Sequence, residues 1–152
     1  MKKKLSIGQY ILKFGMAYMI GIITLSAIFI IFNLSHSASA SILVLLGAVF
    51  STAAEFILDH ERVPNKKEKM MLIWFSFLMS WFVLLILILT AVLVLGGEQA
   101  MAELGNMVMQ ADATKMIGVI SLISLVYLII LFFGYGRFAQ IQYDAMKKKG
   151  RI

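Results

Sequence analysis

The sequence predicts an all-α membrane protein, a single integral membrane domain over residues 1–152 with four transmembrane helices in an antiparallel bundle. Hydrophobic residues make up 61% of the chain and charged residues only 14%, whereas soluble domains carry roughly 25% charged residues. Four apolar stretches are long enough to cross a hydrocarbon core about 30 Å thick. Thirteen of the fourteen Lys and Arg residues lie at the chain ends or in one hairpin, which is typical of cytoplasmic segments.

The charge pattern also sets the expected orientation and the expected binding partners. The predicted spans cover about residues 10–32, 42–58, 70–95 and 116–136. Lys115 alone among the cations falls on the far side of these spans, so both termini should be cytoplasmic. The net charge is +6, but nucleic-acid binding needs a basic face on a folded surface, and these cations flank apolar spans. We therefore expect anionic lipids as partners, including at the basic tail 147–151, and no nucleic acid.

The first span follows the basic start of the chain and contains the uninterrupted apolar run 14–32. Ala38-Ser39-Ala40 resembles a signal-peptide cleavage site. The apolar run is longer than the about 7–15 residues of a signal peptide, so we expect the segment to be retained as a helix. Cleavage would leave three spans, and the intact mass of the extracted protein distinguishes the two cases.

Small residues at a spacing of four predict where helices approach each other closely. Gly47 and Ser51 in the second span form such a pair. In lipid there is no hydrophobic drive between helices, so small residues that allow close backbone approach favour packing. Two further small-residue pairs are Ala17/Gly21 in the first span and Ser76/Ser80 in the third.

A polar stripe enters the apolar sequence at the end of the second span. Glu55, Asp59 and Arg62 are spaced by four and three residues, which places them on one helical face. A carboxylate at the bilayer centre costs about 2.5–3.5 kcal/mol, and less near the interface, so Glu55 should face the bundle, pair with a cation or be protonated. Arg62 could reach back to it, and Lys13 enters from the first span at a similar depth. We expect a structural ion pair here, with a proton or cation path as the alternative.

The turn after this stripe separates the second and third helices. Pro64 should end the second helix, because the residue before a proline is disfavoured in helical conformation. Asn65 and Glu68 are spaced as a capping box that begins the next helix.

Beyond the third span, the connection to the fourth has a helical repeat of apolar residues at Met101, Leu104 and Val108, which predicts a short amphipathic helix on the outer leaflet. The fourth span ends in Gly134-Tyr135-Gly136. This tripeptide does not predict a potassium filter, since a filter requires a re-entrant loop between two spans.

Few residues offer site chemistry. His36 is a lone loop histidine, and the methionines around Met109 lack a cysteine or histidine that would support a copper site. The chain contains no cysteine, which excludes disulfides and thiolate chemistry. We expect no catalytic residue, no metal and no cofactor.

From Phe56 to Glu68 the chain resembles the ABZJ type, a family of small uncharacterised bacterial inner-membrane proteins. The likeness rests on Asp59, Arg62, Pro64 and Glu68 in a D-x-x-R-x-P-x-x-x-E arrangement. The resemblance implies a four-helix fold in the inner membrane and no established activity. Family members tend to carry an amide at the position of Glu55, which argues against an essential carboxylate there.

Three functional hypotheses follow from these features. The first is a non-catalytic protein that packs against another membrane protein or against itself, as an accessory subunit or an immunity-type protein. The second is a small oligomeric ion, proton or solute transporter that uses Glu55. The third, least favoured, is an enzyme acting on lipid substrates at Asp59, Glu61 and Arg62.

Overall fold

The computed structural model describes residues 6–33, 38–97, 102, 105–106, 109–110 and 112–150. The helices in this part are α1 (Ile7–Ile31), α2 (Ala38–His60), α3 (Lys66–Ala91), α4 (Ala113–Phe133) and α5 (Ala139–Lys148). One π-helical turn, Val92–Gly96, follows α3, and another, Gly134–Phe138, joins α4 to α5. The segment from α4 through α5 is continuous, and we call it the fourth helix.

The all-α, four-helix prediction is confirmed. Within the described residues, four helices are long and apolar enough to cross a membrane, which makes the chain a multi-pass membrane protein. Some helix ends extend beyond the stretches expected from hydropathy. The first helix begins at Ile7, where the Gln9 side chain accepts a hydrogen bond from the Ser6 backbone N–H at 2.9 Å. The second helix begins at Ala38, so polar serines form its first turn.

The four helices follow the order α1, α2, fourth helix, α3 around the bundle. The first helix packs against α2 and α3, and both of these pack against the fourth helix. In the described part of the chain, α1 and the fourth helix have no Cα atoms within 8 Å of each other, and neither do α2 and α3. Each of these two pairs therefore lies on a diagonal, although α2 and α3 are joined by a short turn.

Side-chain contacts show how neighbouring helices run. The first two helices are antiparallel, since Tyr10 near the start of α1 reaches Asp59 near the end of α2. The second and fourth helices are parallel. Ile42 near the start of α2 lines a cavity together with Ile123 in α4, whereas Phe50, further along α2, has its ring 5.1 Å from that of Phe138, further along the fourth helix.

The core is apolar, with hydroxyl groups in its interior. Tyr10, Tyr18 and Tyr135 are at most 1% exposed. The Tyr18 and Tyr127 hydroxyls lie 3.0 Å apart, and the Tyr135 hydroxyl lies 3.0 Å from Ser76 Oγ. Because lipid offers no hydrogen-bond partner to a buried hydroxyl, these pairs restrict how the helices can pack.

Two expectations concern residues outside the described part. The loop histidine His36 is one. The other is the amphipathic helix at Met101, Leu104 and Val108.

Candidate functional site

The polar stripe of α2 forms an ion pair with α1. Lys13 Nζ lies 2.5 Å from Glu55 Oε2, and the two side chains are 38% and 41% exposed. Both residues lie within spanning helices, so part of this exposed surface faces lipid or head groups rather than bulk water. Pairing removes the cost of an isolated carboxylate at this depth. Of the two cations considered for Glu55, the one that pairs with it is therefore Lys13.

Asp59, one helical turn further along α2, has a different partner. The Tyr10 hydroxyl donates a hydrogen bond to Asp59 Oδ2 at 2.8 Å, and it also lies 3.3 Å from His60 Nδ1. The Tyr10 ring packs at 5.2 Å from Phe56, which stacks on His60 at 4.3 Å. Asp59 is thus held by a neutral donor on α1 rather than by a cation.

Arg62 does not reach back to Glu55, and on this point the sequence interpretation was wrong. Its two terminal nitrogens each lie 2.7 Å from one oxygen of Glu68, across the turn to α3. The α2 helix ends at His60 and Glu61 has a φ of 52°, so the chain leaves the helix axis before Arg62. Helical spacing therefore no longer applies to this side chain.

The turn itself is built from the residues expected for it. The Glu68 backbone N–H donates to Asn65 Oδ1 at 2.9 Å, and the Asn65 N–H donates to Glu68 Oε2 at 2.8 Å, so the capping box is present. Pro64 lies in the short link before it. The pKa of Arg62 is raised above its ordinary value, chiefly because Glu68 accepts its hydrogen bonds. Glu68 thus caps α3 and anchors Arg62 at once.

The four residues predicted as one cluster therefore belong to three separate interactions. Sequence reasoning missed Tyr10 and His60. The sequence does contain a signal for Tyr10. Tyr10 lies one helical turn before Lys13 and Asp59 lies one turn after Glu55, so in two antiparallel helices that pair Lys13 with Glu55, Tyr10 falls opposite Asp59. These interactions hold helices together, and they lack a nucleophile activated by a base. Among the described residues, no three His, Asp or Glu side chains are grouped as metal ligands.

The predicted small-residue pairs differ in whether they are packed inside the bundle. Ser76 and Ser80 are fully buried in the core. A Cβ on Gly21 would lie 2.5 Å from Val44, so Gly21 is used in packing α1 on α2. In contrast, Gly47 and Ser51 are exposed, and a Cβ on Gly47 would meet nothing within 4 Å.

Gly47 and Ser51 form the centre of an open α2 face. Two exposed leucines lie along α2 on either side of this pair, Leu43 at 68% and Leu58 at 37% exposed. We call these four residues the open α2 face.

Comparisons with family models, curated proteins and solved structures find no match to this chain.

Proposed function

We propose that this chain is a non-catalytic protein of the bacterial inner membrane that acts by packing against a membrane partner, as an accessory subunit or an immunity-type protein. The observation that carries this proposal is the open α2 face, where Gly47 and Ser51 remain unpacked. Two residues of the other predicted small-residue pairs, Ser76 and Gly21, are instead used inside the bundle.

The physical argument concerns how helices associate in lipid. Acyl chains solvate leucine as well as another helix does, so association depends on close backbone approach and on interhelical hydrogen bonds. Gly47 allows that approach, and the Ser51 hydroxyl can donate across the interface. A face of small residues without an intramolecular neighbour therefore supports a partner helix.

Charge distribution and resemblance support the location. The described cations Lys66, Lys67 and Lys69 begin α3, and Lys147 and Lys148 end the fourth helix, so one end of the bundle is strongly basic. Cytoplasmic ends of bacterial membrane helices carry such an excess. The likeness of the α2–α3 turn to the ABZJ type points to the same membrane.

Site-directed photo-crosslinking in native membranes tests the proposal. The chain has no cysteine, so Ser51→Cys gives a single attachment point for a benzophenone group. Leu125→Cys serves as the control, because Leu125 is 56% exposed but lies on the fourth helix. We expect a protein adduct from position 51 and only lipid adducts from position 125. Lipid adducts alone from both positions would contradict the proposal.

A pair of glycine substitutions provides a matched second measurement. Gly47 and Gly118 both lie in helices with open space where a Cβ would be. Gly47→Leu should abolish co-isolation with the crosslinked partner, while Gly118→Leu should retain it. Equal recovery of the partner with both variants would show that the open α2 face is not the interface.

A second candidate function is transport of an ion or proton through Glu55. It is favoured by one observation: Lys13 and Glu55 are each about two-fifths exposed rather than sealed in the core. An intramembrane carboxylate of this kind often marks an ion path. Flux through liposomes containing the purified protein distinguishes this candidate, since Glu55→Gln should abolish it. Absent or unchanged flux removes transport and leaves the packing function.

A further inference from the structure

The side chain of Lys69 packs against the fourth helix where α3 begins and α4 ends. The Lys69 ammonium lies 3.8 Å from the ring centre of Phe132. A Cβ on Gly136 would lie 2.5 Å from Lys69 Nζ, so only a glycine leaves room for the ammonium in this position. The next residue in the chain is Arg137, which is exposed. Lys69 of α3 thus lies against Gly136 of the fourth helix, next in sequence to Arg137, and we call this contact the seam.

Neither cation has a carboxylate partner among the residues that the structure describes. The carboxylate next to Lys69 in sequence, Glu68, is bound by Arg62. Asp144 follows Arg137 on the fourth helix, but its Oδ1 accepts a hydrogen bond from Gln140 at 3.2 Å. The seam thus differs from the two ion pairs of Lys13 and Arg62, in which the protein supplies its own anion.

Apolar surface adjoins these charges. Phe132 is 52% exposed and Phe133 is 49% exposed. Both lie on the side of Gly136 that leads into the apolar fourth span. Positive charge at the end of a span with exposed aromatic surface beside it matches a molecule with an anionic head and an apolar tail.

We propose that Lys69 and Arg137 bind the phosphate of one anionic phospholipid, with an acyl chain along Phe132. The cation–π contact holds the Lys69 ammonium at the seam, and it leaves N–H groups that can donate to phosphate oxygens. This lipid site is distinct from the open α2 face and does not depend on the proposed function.

Native mass spectrometry of the detergent-solubilised full chain tests the site with phosphatidylglycerol and phosphatidylcholine as probes. The wild-type protein should retain one phosphatidylglycerol in preference to phosphatidylcholine. Lys69→Gln and Arg137→Gln should each weaken this retention about fivefold, which corresponds to about 1 kcal/mol per cation. Lys67→Gln is the matched control, because it removes the same charge from an exposed residue in the first turn of α3 that lies outside both the proposed site and the basic tail.

Gly136→Ala separates a built site from general charge attraction. Its methyl group would displace the flexible Lys69 tip without changing the net charge, so the fold should survive and phosphatidylglycerol retention should fall. Equal losses in all three Gln variants, with no effect of Gly136→Ala, would overturn the proposal. Equal retention of both lipids would do so as well. Soluble glycerol phosphate should not displace the lipid, and its binding with equal affinity would identify a phosphate site instead.

Discussion

Tyr18 of α1 and Tyr127 of α4 meet across the bundle, with their hydroxyl oxygens 3.0 Å apart. The two helices lie on a diagonal, and in the described part of the chain their backbones do not approach within 8 Å. Tyr18 is fully buried and Tyr127 is 7% exposed. One hydrogen bond therefore joins the two helices that the packing keeps apart.

Removing one hydroxyl of this pair should destabilise the bundle. Tyr18→Phe and Tyr127→Phe should each cost about 0.6–1.7 kcal/mol, because each leaves the other hydroxyl unpaired in an apolar core. The double variant should cost little more than either single one, since it leaves no unpaired group. Equilibrium unfolding in mixed micelles measures these costs. Strictly additive losses would show that the two hydroxyls are not coupled.

Loss of Arg62 should destabilise the chain more than loss of Lys148. Arg62→Ala leaves the Glu68 carboxylate, whose side chain is only 18% exposed, without its cation, and should cost about 1–2 kcal/mol. Lys148→Ala removes an exposed cation that has no ion pair among the described residues, and its effect should stay within about 0.5 kcal/mol. Arg62→Lys should recover only part of the loss, because lysine cannot form two parallel hydrogen bonds. Equal melting temperatures in detergent for the two alanine variants would contradict this assignment.

The Lys13–Glu55 pair should behave as a coupled unit. Lys13→Met should cost about 1–3 kcal/mol, less than the about 3–5 kcal/mol measured for fully buried pairs, because both side chains remain partly exposed. Exchanging the charges with Lys13→Glu and Glu55→Lys should restore most of the stability. A double-mutant cycle on melting in detergent checks the coupling, and an exchanged variant weaker than both single variants would argue against a simple ion pair.

Gly134→Ala should be the most disruptive glycine-to-alanine change among the described helical glycines. The new methyl group would collide with Val49, a stiff β-branched side chain that is fully buried, at a cost of about 1–3 kcal/mol. Gly118→Ala is the control, since nothing lies within 4 Å of its Cβ position and alanine favours the helix by up to about 1 kcal/mol. Opposite shifts of melting temperature are therefore expected, and a neutral Gly134→Ala would show that the helices can move apart there.

The sequence by itself determined the elements of this fold. Apolar length separated the four helices, and the spacing of Asn65 and Glu68 located the start of α3. It also identified Glu55 as a carboxylate that needs a partner, and Lys13 as one of two possible cations. These features depend on one helix at a time or on residues a few positions apart, and hydropathy and helical spacing report directly on such short-range relationships.

Only the tertiary structure decided which residues meet. It paired Arg62 with Glu68, brought Tyr10 to Asp59, and placed α1 and the fourth helix on a diagonal. It also buried Ser76 and left Gly47 open. The physical reason is that lipid solvates every apolar face of a helix about equally, so hydropathy does not encode the rotation or the lateral order of the helices. Those follow from side-chain fit and from a few hydrogen bonds between residues far apart in the chain.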